Sequence, residues 1–318
     1  MFYRLTFIII LASLVSCQKA PLDTVRVSHI SWPGYELLSF AEERDLYKNI
    51  DVMIHRPATN AESIEAFRHN LVDVVAVTLN EAIEIQSKSK ETILVVTVLD
   101  VSNGADVLIA KNEIKSLSDL KGKILGMVPS VFGVYFVSRA IESEAALSLN
   151  DLSITPVSID KHVEAFIEGD VDAIATYEPE KSKILKKTGH VIFDSTLMPN
   201  EIIDVLITTE SYAKNNKAQL TELLSGYYKA HDVLINDPEN AMSAMAGYEG
   251  IGKAEYKKSM SGIRIPSKKD NVELLAGNDS IVSVQLSRLH TFLVEKNIID
   301  KNNTLLPKIR HDFIVGVE

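Results

Sequence analysis

Ala66-Phe67-Arg68-His69-Asn70-Leu71-Val72-Asp73-Val74-Val75-Ala76 returns, at a constant offset of 99, as Ala165-Phe166-Ile167-Glu168-Gly169-Asp170-Val171-Asp172-Ala173-Ile174-Ala175. Each copy reads as the end of a helix, then a residue that tolerates positive φ (Asn70 or Gly169), then an aspartate leading a buried strand. Both strands run into a polar group and a new helix, through Thr78-Leu79-Asn80-Glu81 in the first copy and Tyr177-Glu178-Pro179-Glu180 in the second. The repeat predicts two lobes of similar build. Each would present a strand end to a shared cleft, the place where open α/β sheets bind ligands.

Outward from the repeat, strand and helix alternate, which predicts an α/β fold with mainly parallel sheets flanked by helices. β-branched runs predict strands over 25–30, 52–55, 74–78, 93–99, 106–110, 124–128, 173–176 and 203–208. Helical windows lie at 35–46, 61–69, 131–144, 162–168 and 179–187. After Glu210 the pattern turns helical, notably over 217–236 and 279–296. Long helices without following strands are expected to pack on the outside of an existing lobe.

The N-terminus assigns a compartment. Arg4 precedes an apolar run over 5–15, too short to span a membrane, and Gln18-Lys19 opens a polar segment, so residues 1–17 read as a signal peptide. The 301 residues after Cys17 suit two domains of ordinary size. Cys17 is the only cysteine, which excludes a disulfide framework. The net charge of −10 provides no basic face for nucleic acid. The eight histidines stand alone, without metal-ligand spacing, and no phosphate loop, dinucleotide loop or nucleophile elbow occurs. Neither metal nor cofactor is expected.

Four segments carry a family resemblance: Trp32-Pro33-Gly34-Tyr35, Leu117-Ser118-Asp119-Leu120-Lys121-Gly122-Lys123, Gly169-Asp170-Val171-Asp172-Ala173, and Glu178-Pro179. With them the chain resembles the type 2 periplasmic solute-binding proteins of the group that serves nitrate, taurine, alkanesulfonate and thiamine-precursor uptake. The resemblance implies a discontinuous lobe I over 24–105 and 205–318 and a continuous lobe II over 106–204. Two strands would cross between them as a hinge. Leu14-Val15-Ser16-Cys17 likewise resembles the bacterial lipobox, which implies a diacylglycerol on Cys17 and a short tether over 18–23. A lipid-anchored monomer at the periplasmic face of a bacterial membrane is the resulting expectation, with the outer membrane favoured in a Gram-negative host.

Candidate ligand residues follow from strand ends and helix starts. Trp32, the only tryptophan, ends the first strand, where its ring would wall the ligand or else close the core. Ser130 is placed to cap the helix beginning at Val131, with Phe132 one residue on; a helix start suits an anionic group, and an idle cap is the equal alternative. The resemblance favours the ligand there. Glu178 precedes Pro179 at another helix start, where a carboxylate is favoured without any ligand, and the resemblance implies a cleft role for it. Tyr177 stands beside it, Thr78 and Asn80 lie opposite by the repeat, and Asp204 marks re-entry into lobe I. These carboxylates, with Asp106, predict a solute whose cationic or donor nitrogen faces Glu178 and Asp204 and whose acceptor or acid group faces Ser130.

The resemblance implies a non-catalytic protein that captures a small polar organic molecule and delivers it to an ABC permease. Two alternatives share the fold: a binding subunit that reports the solute to a membrane kinase or cyclase, and an enzyme of pyrimidine or menaquinone biosynthesis.

Overall fold

The computed structural model describes residues 22–317, with side chains from residue 24. The signal peptide and Cys17 lie outside the described residues. Leu22 and Asp23, read from sequence as tether, already belong to the first strand.

Twelve strands form two sheets among the described residues. They are β1 (Leu22–Ser28), β2 (Ile50–His55), β3 (Val74–Thr78), β4 (Ile93–Ser102), β5 (Val107–Ala110) and β6 (Ile124–Met127), then β7 (Ser153–Pro156), β8 (Ala173–Thr176), β9 (His190–Asp194), β10 (Ile203–Thr209), β11 (Ile263–Arg264) and β12 (Lys308–Ile309). The seven-stranded sheet runs β11-β4-β10-β3-β1-β2, with β12 also on β4, and the five-stranded sheet runs β7-β6-β8-β5-β9.

Both sheets are mixed rather than mainly parallel. β1 is parallel to β2 and β3, and β6 to β7 and β8, whereas β10 lies antiparallel between β3 and β4, and β5 antiparallel between β8 and β9. The reason is connectivity: β5 and β10 are the strands by which the chain passes from one sheet to the other, and each enters its new sheet against the direction of its neighbours. The crossings are stitched side by side. Ser102 Oγ meets Ser195 Oγ at 2.8 Å, Gly104 N donates to Ser195 Oγ at 2.6 Å, and Ser195 N donates to the Asp106 carbonyl at 3.0 Å.

The repeat is structural. Helix Asn60–Arg68 is followed by Asn70 at φ 57° and then β3; helix His162–Glu168 is followed by Gly169 at φ 89° and then β8. The strands are wholly buried in both copies, so the leading aspartates mark where chain enters core. Asp73 holds Arg26 on neighbouring β1, and Asp172 holds Lys111 and the Ile124 amide.

The C-terminal part departs from expectation twice. β11 and β12 show that strands do not stop after Glu210, although each is only two residues long and pairs with an end of β4. Helix Ile281–Glu295 does more than cover one sheet. Its Gln285 side chain donates to the Glu201 carbonyl at 3.0 Å and to the Tyr135 hydroxyl at 3.3 Å, and Phe292 packs edge-on against Tyr135 at 5.0 Å. Tyr135 lies on helix Val131–Ala145 beside the five-stranded sheet, so the C-terminal helix ties the two halves together.

Gly169 provides a check on the repeat. A Cβ there would meet nothing closer than Lys111 Nζ at 3.7 Å, so Gly169→Ala carries only the backbone cost of left-handed φ, roughly 1–2 kcal/mol. Urea unfolding should show that loss without a change in slope; an unchanged midpoint would mean the turn is free to adopt another conformation.

Candidate functional site

The cleft is built from strand ends. Ile30, Trp32 and Tyr35 follow β1; Thr59 and Asn60 follow β2; Thr78 ends β3; Val128, Pro129 and Ser130 follow β6; Ser158 follows β7; Tyr177 follows β8. Both sheets thus point their carboxyl ends at one cavity of about 390 Å³, a size suited to a small organic molecule.

Its wall is aromatic. A turn closed by Tyr35 N to Trp32 O at 2.8 Å brings both rings to the same edge. Trp32 packs edge-on against Tyr35 at 6.5 Å and against Tyr177 of the other sheet at 5.7 Å. The indole is only 4% exposed, and its Nε1 donates to Asp100 Oδ2 at 2.9 Å. Gly34 permits this approach, since a Cβ at that position would fall 1.9 Å from Asp100 Oδ2.

Beneath the rings lie three aspartates at the crossings. Asp204 on β10 pairs in register with Asp100 on β4 and with Thr78 on β3. Asp106 follows the first crossing. Asp106 and Asp204 line the cleft while Asp100 stands behind Trp32. One oxygen of each, Asp100 Oδ1, Asp106 Oδ2 and Asp204 Oδ1, has no hydrogen-bond partner in the protein. Burial pushes Asp100 up to about 7 against the pull of the Trp32 donor. Burial likewise pushes Asp106 up to about 7, with Ser102 and Lys181 acting in the opposite direction. Asp204 is raised well above the usual carboxylate range by burial first, then by the charges of Asp100 and Asp106.

Seven of the residues expected from sequence meet here: Trp32, Thr78, Asp106, Ser130, Phe132, Tyr177 and Asp204. Asn80, Val131 and Glu178 do not line the cavity. Asn80 and Val131 turn inward on the first turns of their helices and are buried. Glu178 is fully buried and is occupied by its own helix: it accepts from Ser182 N at 3.2 Å and Ser182 Oγ at 3.1 Å and pairs with Lys181 at 3.4 Å. A carboxylate at a helix start finds its partners locally. Ser130 is also engaged, its hydroxyl accepting from Gly133 N at 3.1 Å as an N-cap.

Sequence reasoning missed Tyr35, Asn60 and Glu81 in the lining and Asp100 behind it. Glu81 forms a capping box with Thr78 and accepts from Asn60 Nδ2. The signal for Asp100 was an aspartate inside an otherwise apolar buried strand. Among the described residues, no cluster of His, Cys, Asp or Glu is arranged to hold a metal ion.

Two α/β sheets joined by two crossings over a cleft at their strand ends define the periplasmic binding protein fold. The chain belongs to the NMT1/THI5-like family, whose model matches residues 35–241. A protein of Escherichia coli (strain K12) named for binding aliphatic sulfonates is 26% identical over 147 residues, a match that spans 46% of this chain and 46% of that protein. The alkanesulfonate-binding protein SsuA from Xanthomonas axonopodis pv. citri, solved with MOPS, superposes with a TM-score of 0.74 at 14% identity, over 91% of this chain and 98% of that one. The desulfurization enzyme DSZB does so with a TM-score of 0.70 at 13% identity, over 92% and 98%. These two structures share the fold; one is a binding protein and the other an enzyme.

The buried aspartates give the protein an unusual pH response. Free carboxylates are ionised well below neutrality, so between about pH 8 and 6.5 the folded protein binds protons at Asp100 and Asp106 that the unfolded chain does not, and stability rises as pH falls. The gain is on the order of 1 kcal/mol per carboxylate over that window. Below about 6.5 the effect is opposed by His29 and His162, which burial pushes down to about 3 and about 4 and which the unfolded chain protonates first. Thermal melts should rise from pH 8 to 6.5, with a smaller rise in Asp106→Asn; a flat profile in the parent would contradict the raised carboxylates.

Proposed function

We propose that this protein is the solute-binding component of an ABC import system. It captures a small polar organic molecule between lobe I (24–105 with 205–318) and lobe II (106–204) and delivers it to a membrane permease. The observation that carries this reading is the cleft itself, a cavity of about 390 Å³ lined by the carboxyl ends of strands from both sheets. The partial match to a sulfonate-binding relative and the family membership support it.

Contacts that cross the cleft suit a cycle of opening and closing. The Trp32–Tyr177 ring contact and the Lys186–Glu255 ion pair at 2.6 Å, exposed on its lysine side, both join residues of opposite lobes. Exposed ion pairs are worth little and break easily. Binding and lobe movement should therefore alter the emission of the only tryptophan. A panel of amines, amino acids, pyrimidines, sulfonates and nitrate, screened by thermal shift, identifies binders. A binder confirmed by calorimetry that leaves Trp32 emission unchanged at saturation would place its site elsewhere.

The proposal includes export and a lipid anchor on Cys17. Among the described residues no helix is long and apolar enough to cross a membrane, so retention would rest on the anchor. With β1 beginning at Leu22, four residues separate it from Cys17, and the body sits within about 15–20 Å of the bilayer. Cys17→Ser should move the protein from the membrane fraction to the soluble one; continued retention would remove the anchor.

A further inference from the structure

We propose that the solute bound in this cleft carries a positively charged nitrogen, a protonated amine or amidine, held between the carboxylates of Asp106 and Asp204 beneath the rings of Trp32 and Tyr177. The inference rests on the cleft being the solute site and adds the charge of what it takes.

Asp106 and Asp204 are 4% and 5% exposed, both line the cavity, and each keeps one buried oxygen without a hydrogen-bond partner. A buried acceptor without a donor costs free energy, more so when it is ionised. Two such oxygens at the hinge, one from each crossing, form a receptor for a group that donates and is positively charged. Each base nearby has a carboxylate or carbonyl partner. Arg68 and Lys88 line the cleft at exposed positions, beside Glu65 at 2.7 Å and Glu84 at 2.5 Å, and neither is buried as the two aspartates are. Lys181 donates to the Gly104 carbonyl at 2.8 Å and pairs with Glu178. Glu81, the other interior carboxylate, is satisfied by Thr78 and Asn60. A sulfonate or nitrate would find beside Asp106 and Asp204 no buried base free of a partner, and its charge would oppose ionisation of both carboxyl groups. The rings add to the case, because an aromatic face attracts a desolvated cation. The absence of a metal-holding cluster among the described residues favours an organic cation over a metal ion.

The charge also predicts proton release. The groups that set the protonation of the pair are Asp100, Glu81, Tyr35 and Tyr177 around Asp204, and Glu178, Lys181 and Ser102 around Asp106. Burial holds protons on these aspartates near neutrality, and an arriving cation displaces them.

The test uses purified full-length protein with benzylamine, benzamidine and putrescine as cationic probes and 1-butanesulfonate and nitrate as anionic ones. Calorimetry and Trp32 emission should detect a cationic probe in preference, with protons released on binding at pH 7, read by comparing two buffers of different ionisation enthalpy. Asp106→Asn and Asp204→Asn should each weaken that binding roughly thirty-fold or more while the unliganded variants melt no lower than the parent. Preferred binding of butanesulfonate or nitrate, or amide variants that bind the cation as tightly as the parent, overturns the charge inference and leaves the solute-binding reading standing. If no probe of either charge binds or alters Trp32 emission, both fall.

Discussion

The cleft depends on where β10 lies. It returns from the five-stranded sheet and inserts antiparallel between β3 and β4, in the middle of the seven-stranded sheet. That register sets Asp204 beside Asp100 on one side and Thr78 on the other. Thr78 in turn starts helix Leu79–Lys88, and Asp100 anchors the indole of Trp32. A shift of β10 by one residue would turn Asp204 to the opposite face of the sheet, and the floor of the cavity would lose its carboxylate.

Such a floor opposes the stability of the unliganded protein. Asp100, Asp106 and Asp204 are buried close together, and each would be replaced at a gain by a neutral side chain of the same shape. The surrounding core offsets this: β3, β4 and β5 are buried along their whole length. Sites that violate packing and charge rules inside an otherwise consistent fold are where function is expected.

Much of the fold was legible because hydrophobic runs mark central strands. β3, β8 and helix His162–Glu168 match their sequence ranges end to end. β7 and β9 were not legible. They are the outer strands of their sheet, only partly buried, with Ser153, Pro156, His190 and Asp194 among their residues, and edge strands lack the apolar signature of central ones. At the site, strand-end logic located Trp32, Thr78, Tyr177 and Asp204. It failed for Glu178 because sequence position cannot tell whether a carboxylate turns toward a cavity or back onto its own helix. Asp106, counted among the cleft carboxylates from sequence, does line the cavity, just past the first crossing where β5 joins β8 and β9.

Helix Ile281–Glu295 has a mechanical consequence. Two adjacent strands stitched through Ser102 and Ser195 would by themselves let the halves both bend and twist about one another. A further attachment, from Gln285 and Phe292 to Tyr135 and the Glu201 carbonyl, adds a third point of contact, which opposes twist more than bending. Glu201 is itself gripped by Arg139 at 2.8 Å through both oxygens, so the attachment is rigid on its far side. A body restricted in this way bends along a single arc, so the lobe closure proposed above would end in one outer contour. A membrane partner of the kind proposed above would then meet one reproducible shape, set by the helix rather than by the solute.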